Sequence, residues 1–370
     1  MASLHVVQLL PELNEGGVER TVVELNRELV RRGVTSTVIS RGGRLVAEIE
    51  KDGGRHIALD VCSKNPLTFP WRAEILRWTL RKLQPDVIHV HSRMPGWLLH
   101  AANRWAQRPV VTTVHGFNSV SGYSRVMTEG VRVICVSHAI RAYIRENYRT
   151  PEERIRVIHP AVNATIFDPA RVDAAFVAQF RQEHKLDRRM VATSVGRITQ
   201  LKGFETFIRA VALARRTRPE LVGVIVGGTR PDKRDYEARL QALVRELDVG
   251  DAIRFVGNQS KMPEIYALSD VVVSCSVKPE SFGLSLVEAL AMNTPVIATR
   301  HGGALEIVRE GVDGALFIPD DDDALAQLLA AFHRTPNTDL RTETLRRFSA
   351  ENTIEQTVAV YRDAQQAARC

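Results

Sequence analysis

Short runs of β-branched and apolar residues alternate with longer amphipathic stretches along nearly the whole chain. Six runs lie before residue 160, and six more follow residue 190. Each run is apolar at successive positions, so a strand formed there is covered on both faces, as the strands of parallel sheets are. The alternation therefore predicts an α/β fold with doubly wound parallel sheets. The predicted strands are residues 4–10, 35–40, 87–91, 110–114, 131–136, 155–158, 191–195, 221–226, 252–256, 270–274, 295–299 and 315–318.

The alternation pauses once, between about residues 163 and 190, where the chain is polar and charged. A chain of 370 residues normally divides its core between domains. We therefore predict two facing Rossmann-like domains, residues 1–170 and 185–350, with a cleft between them. A closing helix at about 352–370 is expected to pack back on the first domain. Ligands of such sheets bind at the carboxyl ends of the strands, so the loops there are the candidate site.

The chain carries 50 Lys+Arg against 43 Asp+Glu, a formal net charge of +7. This surplus suits an anionic partner, which on charge alone is nucleic acid, anionic lipid or a phosphorylated small molecule. Aromatic residues make up only 6%, and no module interleaves them with basic residues, which argues against nucleic acid. The four cysteines form no CxxC pair, and the acidic run at 319–323 is typical of a helix start. No metal or other cofactor is expected.

The ends and the apolar runs predict a cytoplasmic protein. An apolar strand follows the first residues without a basic region, unlike a signal peptide, and no run of 18 apolar residues occurs. Residues 71–83 form a basic amphipathic helix that contains Trp71 and Trp78. Peripheral contact with anionic lipid at the inner face of the cell membrane is one interpretation of this helix. A crossover helix that covers the sheet is the other.

In the first half, a few residues lie on loops where ligands bind. Gly16 and Gly17 open a helix and allow backbone amides to approach an anion, although a plain tight turn explains them as well. His115 ends a strand in a position suited to an exposed hydrogen-bond donor, with a turn histidine as the alternative. His89 and His91 lack a third ligand at a useful spacing, so we predict no metal site there.

In the second half, Arg197 and Lys202 lie on the loop between a strand and a helix that starts at Gly203. Two cations beside a helix N-terminus suit a diphosphate and can offset the charge that develops on a departing phosphate. The alternative is that both are ordinary solvated surface cations.

Glu280 and Glu288 belong to the most informative stretch, residues 278–295. Glu280 precedes a helix predicted to begin near Gly283, where free amides can bind phosphate and the carboxylate can accept hydrogen bonds from a polyhydroxy ligand. Glu288 lies eight residues further along, on an otherwise apolar helix, so a solvated helix face explains it poorly. A buried carboxylate needs a partner, and paired ribose hydroxyls would provide one.

These two glutamates resemble the Glu-x7-Glu motif of retaining GT-B glycosyltransferases, in particular family 4. The similarity extends over nearly the whole chain and is carried by several further motifs. These are GlyGlyValGluArg at 16–20, AspValIleHisValHis at 86–91, ThrThrValHisGly at 112–116, GlyArgIleThrGlnLeuLysGly at 196–203, ArgPheValGly at 254–257, and GlyGly at 302–303 with Glu306.

The resemblance implies a GT-B fold and a metal-independent enzyme that transfers a sugar, with retention, from a UDP- or GDP-sugar to a hydroxyl of a glycan or lipid-linked acceptor. It implies catalytic roles for Arg197, Lys202, Glu280 and His115. The residues implied on the donor side are Glu288, Gly283, Phe282, Leu284, Ser281 and Val256. Gly16 and Gly17 would line the acceptor or phosphate side.

Among pathways, synthesis of bacterial lipopolysaccharide or another envelope glycan is the expectation, from the common uses of the family and the basic charge. Two alternatives stay open: a GT-B nucleotide-sugar epimerase, and a protein that binds nucleotide sugars without turnover. A dehydrogenase is disfavoured because the first loop lacks a GxGxxG fingerprint.

Overall fold

The computed structural model describes residues 4–14, 16–104, 107–229, 234–333 and 339–368. The chain forms two compact units. The N-terminal unit comprises residues 1–161 and 350–370, and the C-terminal unit comprises residues 162–349. Cys370, one of the four cysteines, lies outside the described residues.

The N-terminal unit contains a seven-stranded sheet whose strands are all parallel. The strands are β1 (His5–Leu9), β2 (Thr35–Ser40), β3 (Arg55–Ala58), β4 (Val87–Val90), β5 (Val110–Val114), β6 (Arg132–Cys135) and β7 (Ile155–Val157). Their order is β3-β2-β1-β4-β5-β6-β7, so the order reverses between β1 and β4. In register, Leu9 pairs with Ile39 on one side and with Val90 on the other, which aligns the carboxyl ends of the three strands.

The sequence prediction missed β3, because no position of this edge strand is fully buried and its residues form no continuous apolar run. Helices flank the sheet and bury one face each; α1, for example, buries Val22, Val23 and Leu29. The helices before residue 161 are α1 (Gly17–Arg31), α2 (Val46–Lys51), α3 (Phe69–Leu83), α4 (Arg93–Ala102), α5 (Gly122–Arg125) and α6 (His138–Tyr148).

The C-terminal unit contains a six-stranded parallel sheet. Its strands are β8 (Met190–Val195), β9 (Leu221–Val226), β10 (Ile253–Phe255), β11 (Val271–Ser274), β12 (Val296–Thr299) and β13 (Gly314–Phe317). The order β10-β9-β8-β11-β12-β13 reverses between β8 and β11. In such sheets the loops that follow the two strands at the reversal form the ligand-binding crevice.

The helices of this unit include four that the sequence did not predict, at residues 174–183, 262–268, 304–307 and 340–348. Ala174–Glu183 is helical, is capped by the Asp173 carboxylate, which accepts from the Phe176 N–H, and buries Phe180. The helices are α7 (Ala174–Glu183), α8 (Phe204–Ala214), α9 (Arg234–Glu246), α10 (Met262–Leu268), α11 (Leu284–Ala291), α12 (Ala304–Ile307), α13 (Asp322–Ala331) and α14 (Leu340–Phe348). Short 3-10 helices span Val126–Thr128, Glu152–Arg154, Pro169–Arg171 and Gln200–Lys202.

The last helix, α15 (Ala350–Ala367), belongs to the N-terminal unit. The Asp363 carboxylate accepts two hydrogen bonds from the Arg132 guanidinium, at 2.7 and 2.6 Å. The Tyr361 hydroxyl, which is fully buried, lies 2.7 Å from His89 Nδ1. These contacts attach the C-terminal segment to β4 and β6, far away in sequence.

Cys135 and Cys275, each of which lies within an apolar run, are buried. Both are free thiols. Within the described parts of the chain, no helix combines the length and the apolar character that a membrane crossing requires.

Candidate active site

Lys202 and Glu280 form an ion pair at the strand reversal of the C-terminal sheet. Lys202 ends the 3-10 turn that follows β8, and Glu280 lies on the loop that follows β11. Because these strands are neighbours, their loops meet although the residues are far apart in sequence. Lys202 Nζ lies 2.6 Å from Glu280 Oε1, with the two side chains 29% and 20% exposed. The structure thus brings together two of the predicted catalytic residues.

The Glu280 carboxylate has a second partner, since the Ser276 hydroxyl donates to the same Oε1. Burial by itself would raise the pKa of Glu280, but the Lys202 ammonium and the Ser276 hydrogen bond outweigh it and lower the pKa below the usual 4.5. Glu280 is therefore an ionised carboxylate at neutral pH. Ser276, which sequence reasoning did not single out, is buried two residues after the end of β11.

Three glycines make room for this pair. A Cβ at Gly196 would lie 2.8 Å from Lys202 Cε, so the lysine stem lies directly over the glycine backbone. Gly302 has a φ of +58°, and a Cβ there would lie 2.4 Å from the Glu280 carbonyl oxygen. The Gly303 N–H donates to that carbonyl at 2.9 Å. A side chain at Gly196 would displace the Lys202 side chain, and a side chain at Gly302 or Gly303 would displace the backbone of the loop that carries Glu280.

His301, directly before the two glycines, is a site residue that sequence reasoning missed. Its ring is close enough to Glu280 to contribute to the lowered pKa of that carboxyl. Both ring nitrogens are buried, and among the described residues neither has a hydrogen-bond partner. A buried unpaired nitrogen is costly, so a ligand or water bound there would satisfy it. Its position beside the GlyGly pair was the only signal in the sequence.

Arg197, the second predicted cation, follows β8 and is exposed. Within the described ranges its guanidinium makes no recorded ion pair. It remains available to an anion at the same edge of the sheet.

The helix expected near Gly283 is α11, with Gly283 as its N-cap at a φ of +117°. Ser281 and Leu284 are half-buried, on either side of it. The Phe282 ring is buried and packs edge-on against Phe348, with ring centroids 5.5 Å apart. Phe282 therefore offers a ligand its backbone, while its side chain belongs to the core.

Glu288 lies on α11 but is half-buried, less enclosed than the apolar sequence around it suggested. Its Oε2 accepts a hydrogen bond of 2.7 Å from the hydroxyl of Tyr266, a fully buried residue of α10. Burial raises the pKa of Tyr266, and the nearby Glu288 carboxylate raises it further. The sequence analysis expected ribose hydroxyls to be the hydrogen-bond partner of Glu288. In the structure the Tyr266 hydroxyl already provides part of that hydrogen bonding. Val256 directly follows β10 and is half-buried.

In the N-terminal unit, Gly16 is the N-cap of α1 and Gly17 its first residue, both exposed. His115 follows β5 and is half-buried, so it is less exposed than predicted. Its Nε2 lies 3.1 Å from His91 Nδ1. Burial lowers the pKa of His115 to about 4, so this imidazole is neutral at pH 7.

Two family models match the chain. The one described as Glycosyltransferase Family 4 matches residues 15–165, and the one described as Glycosyl transferases group 1 matches residues 176–351. A D-inositol 3-phosphate glycosyltransferase of Acidothermus cellulolyticus is 30% identical, over 94% of this chain and 86% of the relative. The chain belongs to the group 1 glycosyltransferases.

Solved structures agree with this assignment. A glycosyltransferase from Rickettsia africae superimposes on this glycosyltransferase with a TM-score of 0.89 at 28% identity, covering 98% of this chain and 99% of that one. Anabaena HepE, solved with UDP and glucose, superimposes with a TM-score of 0.82 at 20% identity, covering 96% and 98%. Together with the two parallel sheets, these likenesses confirm the expected α/β GT-B fold.

Proposed function

We propose that this glycosyltransferase moves a sugar, with retention and without a metal ion, from a nucleotide diphosphate sugar to a hydroxyl acceptor. The Lys202–Glu280 pair at the strand reversal carries the proposal, because it places a held ammonium where a Rossmann-like sheet binds its ligand. The exposed Arg197 beside it supplies a second positive charge. The complex of HepE with UDP and glucose supports a UDP-sugar as the donor, with a GDP-sugar as the alternative.

In the proposed reaction, the bond between the anomeric carbon and the diphosphate oxygen breaks, and the acceptor oxygen bonds to the same face of that carbon. The acceptor proton passes to the departing diphosphate oxygen. Lys202 and Arg197 offset the negative charge that develops on this diphosphate, a role that a metal ion fills in other enzymes. Glu280 orients Lys202 and accepts hydrogen bonds from the sugar.

The other predicted residues are assigned around the donor. Glu288, already oriented by the Tyr266 hydroxyl, accepts from the ribose hydroxyls. Backbone amides at the start of α11, from Ser281 to Leu284, face the diphosphate. Val256 flanks the base. His115 contacts the donor sugar, and Gly16 with Gly17 lines the acceptor or phosphate side.

Two classes of acceptor are proposed for the transferred sugar. Glycan or lipid-linked acceptors of bacterial envelope synthesis follow from the sequence expectation. The name of the Acidothermus relative adds a phosphorylated inositol as a second class, which also suits the net positive charge.

A binding and turnover experiment tests the proposed function. UDP-, GDP- and ADP-sugars are screened by thermal shift, and the best donor is incubated with both acceptor classes in excess EDTA. We expect one donor class to raise the melting temperature, and transfer to persist in EDTA with an unchanged anomeric configuration by NMR. Binding without transfer or donor hydrolysis would favour the non-catalytic alternative, and an epimerised sugar the epimerase. Complete loss of activity in EDTA that added metal reverses would contradict the cationic mechanism.

We further propose that α3 contacts an anionic membrane. The helix buries Leu76 and Leu80 on one face, while Trp71 and Trp78 are 71% and 63% exposed. Residues seven apart lie on the same helix face, and the Lys82 ammonium lies 5.4 Å from the centre of the Trp78 ring. Exposed tryptophans with neighbouring cations are typical of helices that lie at a lipid surface.

The double variant Trp71→Ala/Trp78→Ala tests this contact. We expect the wild-type protein to cosediment with phosphatidylglycerol vesicles. The variant should lose most of that binding, because it lacks the apolar tryptophan surface that would be buried in the lipid. Phosphatidylcholine vesicles serve as the control. Equal cosedimentation of variant and wild type would refute a role for this helix face.

A further inference from the structure

A line of four polar side chains runs through the N-terminal unit from β2 to the end of β5. The Gln8 amide nitrogen donates to the Ser36 hydroxyl at 3.3 Å. Gln8 Oε1 lies 3.2 Å from His91 Nε2, and His91 Nδ1 lies 3.1 Å from His115 Nε2. Ser36, Gln8 and His91 are all buried. The line therefore links the interior of the sheet to the loop on which His115 lies.

Both imidazoles in this line are neutral at pH 7. Burial holds the pKa of His91 well below its usual 6.5, and burial lowers the pKa of His115 to about 4. His89, whose ring centre lies 4.0 Å from that of His91, has a pKa of about 3 for the same reason. A neutral imidazole carries one N–H donor and one bare acceptor nitrogen.

The orientation of the Gln8 amide sets the direction of each hydrogen bond in this line. Because Gln8 uses its amide N–H group toward Ser36, its carbonyl oxygen faces His91 and can only accept. The proton of His91 is therefore on Nε2, which leaves Nδ1 as an acceptor. His115 must then donate from Nε2, and its own Nδ1 carries no proton. Among the described residues, no recorded partner faces His115 Nδ1.

We infer that Gln8 and His91 are positioning residues that hold His115 in the Nε2–H tautomer, so that its Nδ1 accepts a hydrogen bond from a ligand hydroxyl. This inference rests on the proposed function, in which His115 contacts the donor sugar. It reverses the polarity expected from the sequence, where His115 was a hydrogen-bond donor. It also adds a selection rule: the sugar must present a hydroxyl hydrogen at this point, which a deoxy or fluoro sugar lacks.

Histidine tautomers can be observed directly by long-range ¹H–¹⁵N NMR on the full chain labelled with ¹⁵N-histidine. We expect His91 and His115 to show the Nε2–H pattern at pH 7.5, with His115→Asn used only to assign the signal. In Gln8→Leu, which removes the acceptor at nearly constant volume, we expect a mixture of tautomers at His115. The donor Kd is expected to rise by about tenfold, the loss of one hydrogen bond.

Thr112→Val is the matched control, because it removes a buried hydrogen bond of β5, from the Thr112 hydroxyl to the Met127 carbonyl, that is outside this line. It should keep the wild-type tautomer and the wild-type donor Kd. If Gln8→Leu does not fold, Ser36→Ala serves instead, since it removes only the hydroxyl that orients the amide, and should shift the tautomer in the same direction.

An Nδ1–H tautomer of His115 in the wild-type protein overturns the inference, whatever the activity. An unchanged tautomer in both Gln8→Leu and Ser36→Ala also overturns it. The expected tautomers in a protein that binds no nucleotide sugar would instead refute the proposed function, while leaving the hydrogen-bond line intact.

Discussion

Lys202→Ala is expected to lose sugar transfer by about 10²- to 10³-fold in kcat while the protein remains folded. The ammonium is held 2.6 Å from Glu280, and in the proposed mechanism it stabilises the diphosphate only as charge develops there. Removing it should therefore affect kcat more than the donor KM. Steady-state transfer rates measure the loss, and a circular dichroism melt checks the fold.

Lys261→Ala is the matched control, because Lys261 forms an ion pair of the same 2.6 Å length with Asp173 in the same unit. This pair is outside the proposed site, so transfer should stay within about twofold of wild type, as expected for an exposed ion pair. Wild-type turnover in Lys202→Ala would remove the central residue from the proposed mechanism.

Glu280→Gln is the second large effect, with transfer expected to fall by about 10²-fold. Glutamine preserves the shape but not the charge, so Lys202 loses its counter-ion and Ser276 loses a charged acceptor. Glu264→Gln is the control, since Glu264 is a buried glutamate of the same unit that accepts from the Asp173 N–H. Comparable losses in both variants would indicate a general packing effect.

Glu280→Gln should also change how the stability of the protein depends on pH. The pKa of Glu280 is lower in the folded protein than its usual 4.5, so its ionisation stabilises the fold above that value. This stabilisation is lost as the pH falls through the lowered pKa. We expect the melting temperature of Glu280→Gln to decline less than that of wild type over about pH 6 to 3. Parallel declines would contradict the assigned ion pair.

Much of the secondary structure could be predicted from the sequence, because strands buried on both faces leave continuous apolar runs. β3 could not, and neither could several helices, among them α7 and α10. β3 is a half-exposed edge strand without such a run, and α7 buries only Phe180, within a segment that its charged ends made look like a linker. α10, by contrast, buries Ile265, Tyr266 and Leu268, but its seven residues are too few to show a helical repeat in the sequence.

The candidate site, too, could be predicted only in part from the sequence. Sequence motifs indicated Lys202 and Glu280 individually, but not that they touch. Ser276, Tyr266 and His301 had no motif of their own, because their roles depend on which atoms surround them. The polarity of His115 depends on three side chains from other strands, so no local pattern could have indicated it.

The sequence by itself determined two parallel α/β sheets and the loops that carry charge, since hydrophobic periodicity and glycine-rich turns act over short stretches of chain. Only the tertiary structure decided which loops meet. Strand order is set by the packing of whole βαβ units, and the reversal between β8 and β11 places Lys202 against Glu280, 78 residues away.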